Sequence, residues 1–348
     1  MDHPPDPNEK PKRRPRYSGK NPRKFHEKYK ELNPGRYGQH LEKVLERGAT
    51  PVGTHRPICV EEILRILNPQ AGETGVDATL GFGGHSSHIL PKLLPGGRLV
   101  ALDQDPIERP KAEARLRQSG VPESALLIGG INFSEMKSFL QVSQISKVDF
   151  ILADLGISSM QMDDPTRGFS FKVESSLDLR MNPLVGISAA DLLAQIGVNE
   201  LEAILIENSD EPRARVIAKA LVAKRPRSTL QTTQVLREVM AGFSKQTQNE
   251  QGDTPIRRVF QALRIAVNNE FGSLDQFLND IPEVLNPGGR VAILSFHSGE
   301  DRRVKKSFQA FERARVYRKV SPEFLRPSPE EQRSNSRSKS AKLRWAVT

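Results

Sequence analysis

Hydrophobic residues recur along most of the chain in two alternating patterns. Short apolar runs bounded by glycine or polar residues predict buried strands, and apolar residues three or four positions apart predict helices. Five strands alternate with helices in this way, and such alternation predicts an α/β fold with a parallel sheet. The predicted strands cover Val76–Ala78 and residues 98–105, 125–130, 148–156 and 288–297.

The stretch between the fourth and fifth strands, from about 160 to 253, is too long for a connecting loop. It holds four helical patterns, so we predict a small helical domain inserted into the sheet domain. A single helix over 257–285 should precede the fifth strand, and two edge strands, 315–320 and 342–348, should close the sheet. The predicted division is a basic, flexible extension (1–53), a first part of the sheet domain (54–160), the inserted substrate-recognition domain (161–253) and a second part with a basic tail (254–348).

The first strand runs into a glycine-rich turn with Gly81, Gly83 and Gly84, and a helix should begin near His85. Glycines let a backbone approach a ligand closely, and a helix N-terminus offers unpaired N–H groups. The second strand ends in Asp103, where a nucleotide-type ligand places its ribose hydroxyls. Ser86 stands where the third glycine of a dinucleotide fingerprint would fall. The turn therefore favours S-adenosylmethionine over a dinucleotide.

Two further strand ends carry polar residues. The fourth strand ends at Asp154, and the loop to Phe171 is dense in polar side chains without a helical or strand period, which favours a site over a spacer. A capped turn followed by a helix start is the alternative. After the fifth strand, Ser298 and Asp301 fit a capping box, which leaves His297 unexplained. A substrate contact and a purely structural histidine both stay open for His297.

The charge is concentrated at the two ends of the chain. The net charge is +10; residues 1–53 hold 13 Lys and Arg against 7 acids, and residues 301–348 hold 14 against 5. Basic ends around an acidic centre favour a polyanion such as RNA or DNA, with solvated termini as the alternative. Residues 1–34 should lack fixed structure alone. The C-terminal cations with spacing suited to phosphates are Arg333, Arg337, Lys339, Lys342 and Arg344.

The single cysteine, Cys59, excludes a disulfide framework and Cys-based metal sites, and its apolar setting predicts a core position. No run of about 18 apolar residues is present to span a membrane, and the N-terminus lacks the apolar stretch of a signal peptide. We therefore expect a cytoplasmic protein with no membrane partner.

Eight ordered blocks, from about His55 to the C-terminus, resemble the bacterial small-subunit rRNA cytosine-N4-methyltransferase family. They are DATLGFGGHS, LDQDP, LADLGISSMQMDD, RGFSF, LDLRM, FQALRIAVNNE, PGGRVAILSFHSGEDRRVKK and NSRSKSAKLR. Only the N-terminal 50 residues fall outside this resemblance. It implies a Rossmann-like class I methyltransferase sheet and methylation of N4 of cytidine 1402 in 16S rRNA of the small ribosomal subunit. The cofactor contacts that it implies are Gly83, Gly84, His85, Asp103, Phe133, Asp154 and Gln161, with no metal ligands.

Cytosine N4 is a poor nucleophile because its lone pair is delocalised into the ring. A carboxylate that accepts an N4–H bond would favour the pyramidal nitrogen that attacks a methyl group, and Asp154 is the candidate for that role or for holding the cofactor. His297 is a second candidate, as a contact to the target base. Two alternatives remain: an N-methyltransferase acting on another nucleic acid, and a non-catalytic RNA-binding assembly factor. No protein partner can be identified from the sequence.

Overall fold

A seven-stranded sheet forms the centre of the structure. The computed structural model describes residues 57–172, 174–224, 232–244 and 254–348. The strand order is β3-β2-β1-β4-β5-β7-β6, in which the first five strands are parallel and β7 is antiparallel to both of its neighbours. The strands are β1 (Thr74–Asp77), β2 (Arg98–Leu102), β3 (Leu126–Gly129), β4 (Val148–Asp154), β5 (Leu285–Ser295), β6 (Lys319–Val320) and β7 (Lys342–Val347). The predicted α/β, Rossmann-like class I sheet is confirmed. Of the two predicted closing edge strands, 342–348 corresponds to β7, which lies inside the sheet between β5 and β6, and 315–320 is reduced to the two-residue edge strand β6.

Helices cover both faces of this sheet. One face packs against α1 (Val60–Leu67), α2 (Gly84–Leu93) and α3 (Glu108–Gln118), through an apolar cluster that includes Cys59. The other packs against α4 (Met136–Val142), α11 (Glu270–Val284) and α12 (Ser298–Arg313). A short helix, α5 (Ser159–Asp163), follows β4, and α13 (Pro329–Ser334) precedes β7. Burial on both faces explains the continuous apolar runs of β4 and β5.

A third apolar cluster, besides those on the two faces of the sheet, lies in the segment between β4 and β5. Its helices are α6 (Ala189–Gln195), α7 (Val198–Ser209), α8 (Ala214–Lys224), α9 (Thr233–Ser244) and α10 (Thr254–Val267). Helix α10 lies beyond the predicted insertion but contributes Val259 and Leu263 to this cluster. All three clusters belong to one compact unit, Arg56–Thr348, and the domain boundaries stay a prediction. The predicted extension, residues 1–53, lies outside the described residues.

Several local predictions differ from the structure. The single helix expected over 257–285 is two helices, because Asn269 adopts a left-handed backbone (φ 46°) between α10 and α11. The loop after Asp154, expected to lack a helical period, contains α5 and a 3-10 turn, Pro165–Arg167. No helix among the described residues is long and apolar enough to cross a membrane.

The direction of the sheet order reverses between β1 and β4. Strands β2 and β3 lie on one side of β1, and β4 and β5 lie on the other. In open parallel sheets this reversal opens a ligand crevice at the carboxyl ends of the two central strands. Close packing of β1 on β4 depends on Gly75, since any side chain there would overlap the ring of Phe150. The predicted site residues should therefore meet at the ends of β1 and β4.

Candidate functional site

The glycine turn joins β1 to α2 at the edge of this crevice. Gly83 is the residue before the helix and has φ 87°, a conformation that favours glycine. A Cβ at Gly84 would lie 2.7 Å from the ring of Phe82 and 3.2 Å from Pro57, so the lack of a side chain there serves internal packing. The backbone N–H of Gly81 donates to Asp103 Oδ2 at 2.8 Å. The turn is thus fixed from the end of β2.

Asp103 binds two backbone groups at the same time. Its Oδ2 accepts from Gly81, and its Oδ1 accepts from the backbone N–H of Asp105 at 2.8 Å. Burial raises the pKa of Asp103 to about 7, and these two hydrogen bonds oppose the shift. Each carboxylate oxygen has further acceptor capacity. The arrangement fits the predicted role with ribose hydroxyls, which stays a prediction.

Asp154 ends β4 beside the glycine turn. Its backbone N–H donates to Thr79 Oγ1 at 2.6 Å, which ties the carboxyl end of β4 to the loop after β1. Its Oδ2 lies 3.4 Å from His85 Nε2 in the first turn of α2. His85 Nε2 and Asp154 Oδ1 are enclosed and find no hydrogen-bond partner among the described residues. Two enclosed polar atoms without partners fit a site that a polar ligand completes.

Beneath this pair, Asp77 at the end of β1 is buried and accepts a hydrogen bond from Ser86 Oγ at 2.6 Å. Burial raises the pKa of Asp77. Ser86, which distinguishes the turn from a dinucleotide fingerprint, is therefore also fully buried and fixes the start of α2 against β1. The structure thus gives Ser86 a structural role that the sequence pattern did not indicate.

A buried ion pair lies next to Asp103. Asp105 is fully buried, and its Oδ2 accepts from Arg167 Nη1 at 2.9 Å and from Gln161 Nε2 at 2.7 Å. Its Oδ1 accepts from the backbone N–H groups of Ile107 and Glu108 at the start of α3. Both ends of the Gln161 amide are engaged, because its Oε1 also accepts from the backbone N–H of Ser158. The predicted cofactor contact of Gln161 is not tested and stays a prediction.

Arg167 extends this network to the insertion. Its Nη2 donates to the carbonyls of Arg180 (3.1 Å) and Met181 (2.7 Å). The Asn268 side chain holds the same loop, accepting from the backbone N–H of Met181 and donating to the carbonyl of Leu179. Leu179 has a left-handed backbone (φ 62°), which these contacts maintain. The loop after Asp178 is therefore fixed to Arg167 and, through it, to Asp105.

Phe133 and Asn132 follow the carboxyl end of β3. Asn132 donates to Gln104 Oε1 at 3.1 Å, and the amide of Gln104 donates to Met181 Sδ at 3.3 Å. The ring of Phe133 packs edge-to-face on Phe277, with centroids 5.2 Å apart. Phe133 is half-buried, and its predicted cofactor contact stays a prediction.

His297 lies at the start of α12, and here the predicted capping box is wrong. The box consists of His297 and Glu300: His297 Nδ1 accepts from the backbone N–H of Glu300, and the Glu300 carboxylate accepts from that of His297. Capping therefore accounts for the position of His297 at the crevice edge, and its role at the base stays a prediction. Its Nε2 is 3.2 Å from Glu300 Oε1.

Glu270 lies beside this pair, and His297, Glu300 and Glu270 offer ligand atoms within 4.8 Å of one another. However, Arg264 binds both carboxylate oxygens of Glu270, at 2.7 and 2.8 Å. Burial would raise the pKa of Glu300, but His297 and Arg264 hold it below its usual value. An internal ion-pair network therefore accounts for this cluster, and the absence of metal ligands stays an expectation.

The C-terminal cations do not all face solvent as expected. Arg344 is buried and donates to Asp301 Oδ1 at 2.6 Å, and Lys342 Nζ lies 3.0 Å from Asp301 Oδ2. Arg337 pairs with Asp163 of α5 at 3.3 Å. Only Arg333 and Lys339 of the five are exposed. The expectation that Lys342 and Arg344 contact phosphate is wrong, because both anchor β7 to α12.

The structure thus joins Gly81, His85, Asp103 and Asp154 at one crevice. Sequence reasoning missed Thr79, the Asp105–Arg167 pair and Asn268. Arg167 stands in a polar stretch of the sequence, so no local signal marked it as buried, and the partner of a buried charge cannot be identified from spacing along the chain.

Comparison with known proteins identifies the family. The model of the MraW methylase family matches residues 53–348. A protein from Alkaliphilus metalliredigens is 48% identical over 344 residues, covering 97% of this chain and 98% of the relative, and one from Lachnoclostridium phytofermentans is 49% identical over 341 residues, covering 97% and 93%. Both are named ribosomal RNA small subunit methyltransferase H.

These two alignments take in 97% of the chain and so reach into the N-terminal extension, which the family model leaves out. The expectation that the extension falls outside the resemblance is wrong for these relatives. Among solved structures, an S-adenosylmethionine-dependent O-methyltransferase from Thermotoga maritima gives a TM-score of 0.40 at 11% identity, covering 84% of this chain and 67% of that chain, which is too remote to bear on the site. The family match and the two relatives cover the whole sheet, the crevice and the insertion, and the chain belongs to the MraW methylase family.

Proposed function

We propose that this protein is an S-adenosylmethionine-dependent methyltransferase that methylates the exocyclic N4 of cytidine 1402 in 16S rRNA of the small ribosomal subunit, in the cytoplasm. Membership of the MraW methylase family and the names of the 46–49% identical relatives support an rRNA substrate. The observation that carries the assignment to this crevice is the enclosed Oδ1 of Asp154, which has no partner among the described residues.

The residues at the crevice fit S-adenosylmethionine. The cofactor supplies an electrophilic methyl group on a positively charged sulfur. The glycine turn offers backbone N–H groups, and Asp103 and Asp154 offer carboxylate oxygens on either side of that turn. Acidic groups suit a sulfonium and two ribose hydroxyls, whereas a phosphate-bearing dinucleotide would be repelled by two carboxylates.

Asp154 is placed to prepare the target nitrogen. Its Oδ1 is free to accept one N4–H bond, while the hydrogen bond from its own backbone to Thr79 fixes the strand end. Accepting that bond turns the nitrogen lone pair out of conjugation with the ring. Once the nitrogen is alkylated it is strongly acidic, and the carboxylate that holds the N4–H takes the proton. The remaining rate enhancement comes from holding the two reactants in line, which contributes up to about 7–11 kcal/mol.

The target base must leave any stack to reach this depth. We assign the contact with such a base to His297 and to the loop after Asp178, which Arg167 and Asn268 hold in place. In this proposal the insertion holds RNA and the sheet domain holds the cofactor.

The test is methyl transfer to small subunits that lack the mark, with mass mapping of the product nucleoside. Asp154→Ala should lose most methyl transfer, because the N4–H bond then has no acceptor. Asp154→Asn keeps a carbonyl oxygen that can accept this bond, and water can take the proton of the acidic alkylated nitrogen, so Asp154→Asn should lose less. Asp149→Asn is the matched control, since Asp149 lies at the amino end of the same strand and binds the backbone of Thr74. Its activity per folded molecule should equal that of the wild type.

Three results would contradict the proposal. An Asp154→Ala variant that methylates at the wild-type rate would exclude the assigned role. Transfer of labelled methyl to DNA but not to small subunits would favour the alternative nucleic-acid substrate. Failure of the wild type to bind S-adenosylmethionine by calorimetry would favour a non-catalytic assembly factor.

A further inference from the structure

We infer that the outward face of α12 binds the phosphate backbone of the RNA substrate, an inference that rests on the proposed function. This α12 basic face consists of Arg302, Lys305, Lys306 and Arg313, all of them in the helix Ser298–Arg313. At 3.6 residues per turn the four positions fall within an arc of about 100°. Val304 and Phe308 lie on the other side of the helix and are buried against the sheet.

The charge of residues 302–319 is almost entirely positive. Residues 302–319 contain eight Lys and Arg and a single acid, Glu312. The four residues of the α12 basic face are exposed. Arg302 pairs with Asp210, with both side chains about half exposed (51% and 58%), a pairing worth little in water. Lys305, Lys306 and Arg313 make no ion pair or side-chain hydrogen bond within the described ranges. Cations without carboxylate partners are free to replace the counterions of a polyanion.

The position of α12 connects this charge to the crevice. The helix begins directly after His297 and follows β5 in the chain. Strand β5 pairs with β4, so that Leu294 of β5 lies opposite Asp154. Sixteen helical residues extend about 24 Å away from that point. The charge continues past the helix in three exposed cations, Arg315, Arg318 and Lys319. An RNA strand whose target base enters the crevice would find cations along its backbone in one direction.

The inner side of α12 explains why the cations of the α12 basic face point outward while Lys342 and Arg344 do not. Asp301 lies on that inner side and binds Lys342 and Arg344 of β7. The tail therefore contributes its charges to the anchoring of α12, and the helix presents its own charges to solvent. Phosphate contacts of this kind position the substrate and do not select its sequence.

The experiment compares three proteins on small subunits that lack the mark: the wild type, Lys305→Ala/Lys306→Ala, and Lys92→Ala/Arg98→Ala. The last is a matched control, because it removes the same charge from two exposed positions at the end of α2 and the start of β2, a strand separated from β5 by β1 and β4. For each protein, kcat and KM for the particle are measured over a series of salt concentrations, with calorimetric affinity for S-adenosylmethionine and filter binding of the particle.

The Lys305/Lys306 variant should show a higher KM for the particle at unchanged kcat and unchanged cofactor affinity. The slope of log(kcat/KM) against log salt should fall in magnitude by about 1.4, because each lost contact to a single strand removes about 0.7. The control should keep the wild-type slope. An unchanged slope in the Lys305/Lys306 variant, or an equal change in the control, would overturn the inference.

Filter binding separates this inference from the proposed function. A wild type that binds the particle but transfers no methyl would refute the proposed function, and the salt slope of binding in the two variants would still decide for or against the α12 basic face. A wild type that does not bind the particle would refute both.

Discussion

Replacing Arg167 by methionine tests the buried connection between the cofactor side of the crevice and the insertion. Arg167 is only 4% exposed and Asp105 is not exposed at all. Removal of the guanidinium leaves the Asp105 carboxylate buried with Gln161 as the remaining partner of its Oδ2, and two carbonyls, of Arg180 and Met181, lose their donor. Breaking a buried pair by removing one partner costs about 3–5 kcal/mol.

The magnitude is measured as the loss in free energy of unfolding by denaturant titration. For a domain of a few hundred residues the same loss lowers the melting temperature by roughly 2–4 °C per kcal/mol. Arg215→Met is the control, because Arg215 pairs with Glu202 at the surface (48% and 26% exposed) and should cost at most about 1 kcal/mol. Arg167→Lys should lie between the wild type and the methionine variant, since a single ammonium cannot bind Asp105 and two carbonyls together.

A double-mutant cycle separates the pair from its surroundings. Asp105→Asn/Arg167→Met leaves no unpaired charge, so it should cost less than the sum of the two single variants. The loop after Asp178 should also loosen, which raises KM for the particle at constant cofactor affinity. Our reasoning is refuted if Arg167→Met loses less than about 1 kcal/mol, or if the two single costs add.

Two further predictions concern pH. Burial raises the pKa of Asp103 to about 7, so the free protein holds a proton on this carboxyl below that pH. Because ribose hydroxyls donate to the carboxylate form, the affinity for S-adenosylmethionine should fall about tenfold per pH unit below 7. Calorimetry should find that Asp103→Asn abolishes this pH dependence. If the wild-type affinity for S-adenosylmethionine stayed the same from pH 7 to about pH 5, this prediction would be contradicted. For Asp301, burial alone would raise the pKa, but Arg344 and Lys342 hold it below its usual value. Its pKa is lower in the folded than in the unfolded state, so its contribution to stability is present above the unfolded pKa, about 3.9, and is lost as the pH falls through the folded value. The difference in unfolding free energy between wild type and Asp301→Asn, measured by urea titration at a series of pH values, should therefore be largest near neutrality and shrink below about pH 4. A difference that does not change with pH would contradict the stabilising role of this ion pair.

The helix over 257–285 and the capping of α12 show where local reasoning failed. Periodicity predicted one continuous helix, because apolar spacing continues through Asn268 and Asn269. The break lies at Asn269, directly after Asn268, whose side chain binds the loop at Leu179 and Met181, roughly 90 residues earlier in the chain. Likewise Ser298 and Asp301 satisfied a capping pattern, but Asp301 is engaged by Arg344 of β7, and His297 and Glu300 cap the helix instead. In both cases a partner distant in sequence decided the outcome.

The order of buried strands, the glycine turn and the acidic strand ends were determined by the sequence alone, since burial on both faces and a turn with positive φ each leave a local pattern. The tertiary structure decided which charges face inward. Nothing in the sequence distinguishes Arg167, Lys342 and Arg344 from other cations. In the structure, Asp105 binds Arg167, and Asp301 binds Lys342 and Arg344. Lys305 and Lys306, by contrast, face solvent. The physical reason is that a charge may be buried only where a partner meets it, and that meeting is a property of the packed sheet and helices. The glycine turn, likewise, was visible from residue 74 onward, but its attachment to Asp103 and the open oxygen of Asp154 beside it exist only once β1, β2 and β4 lie side by side.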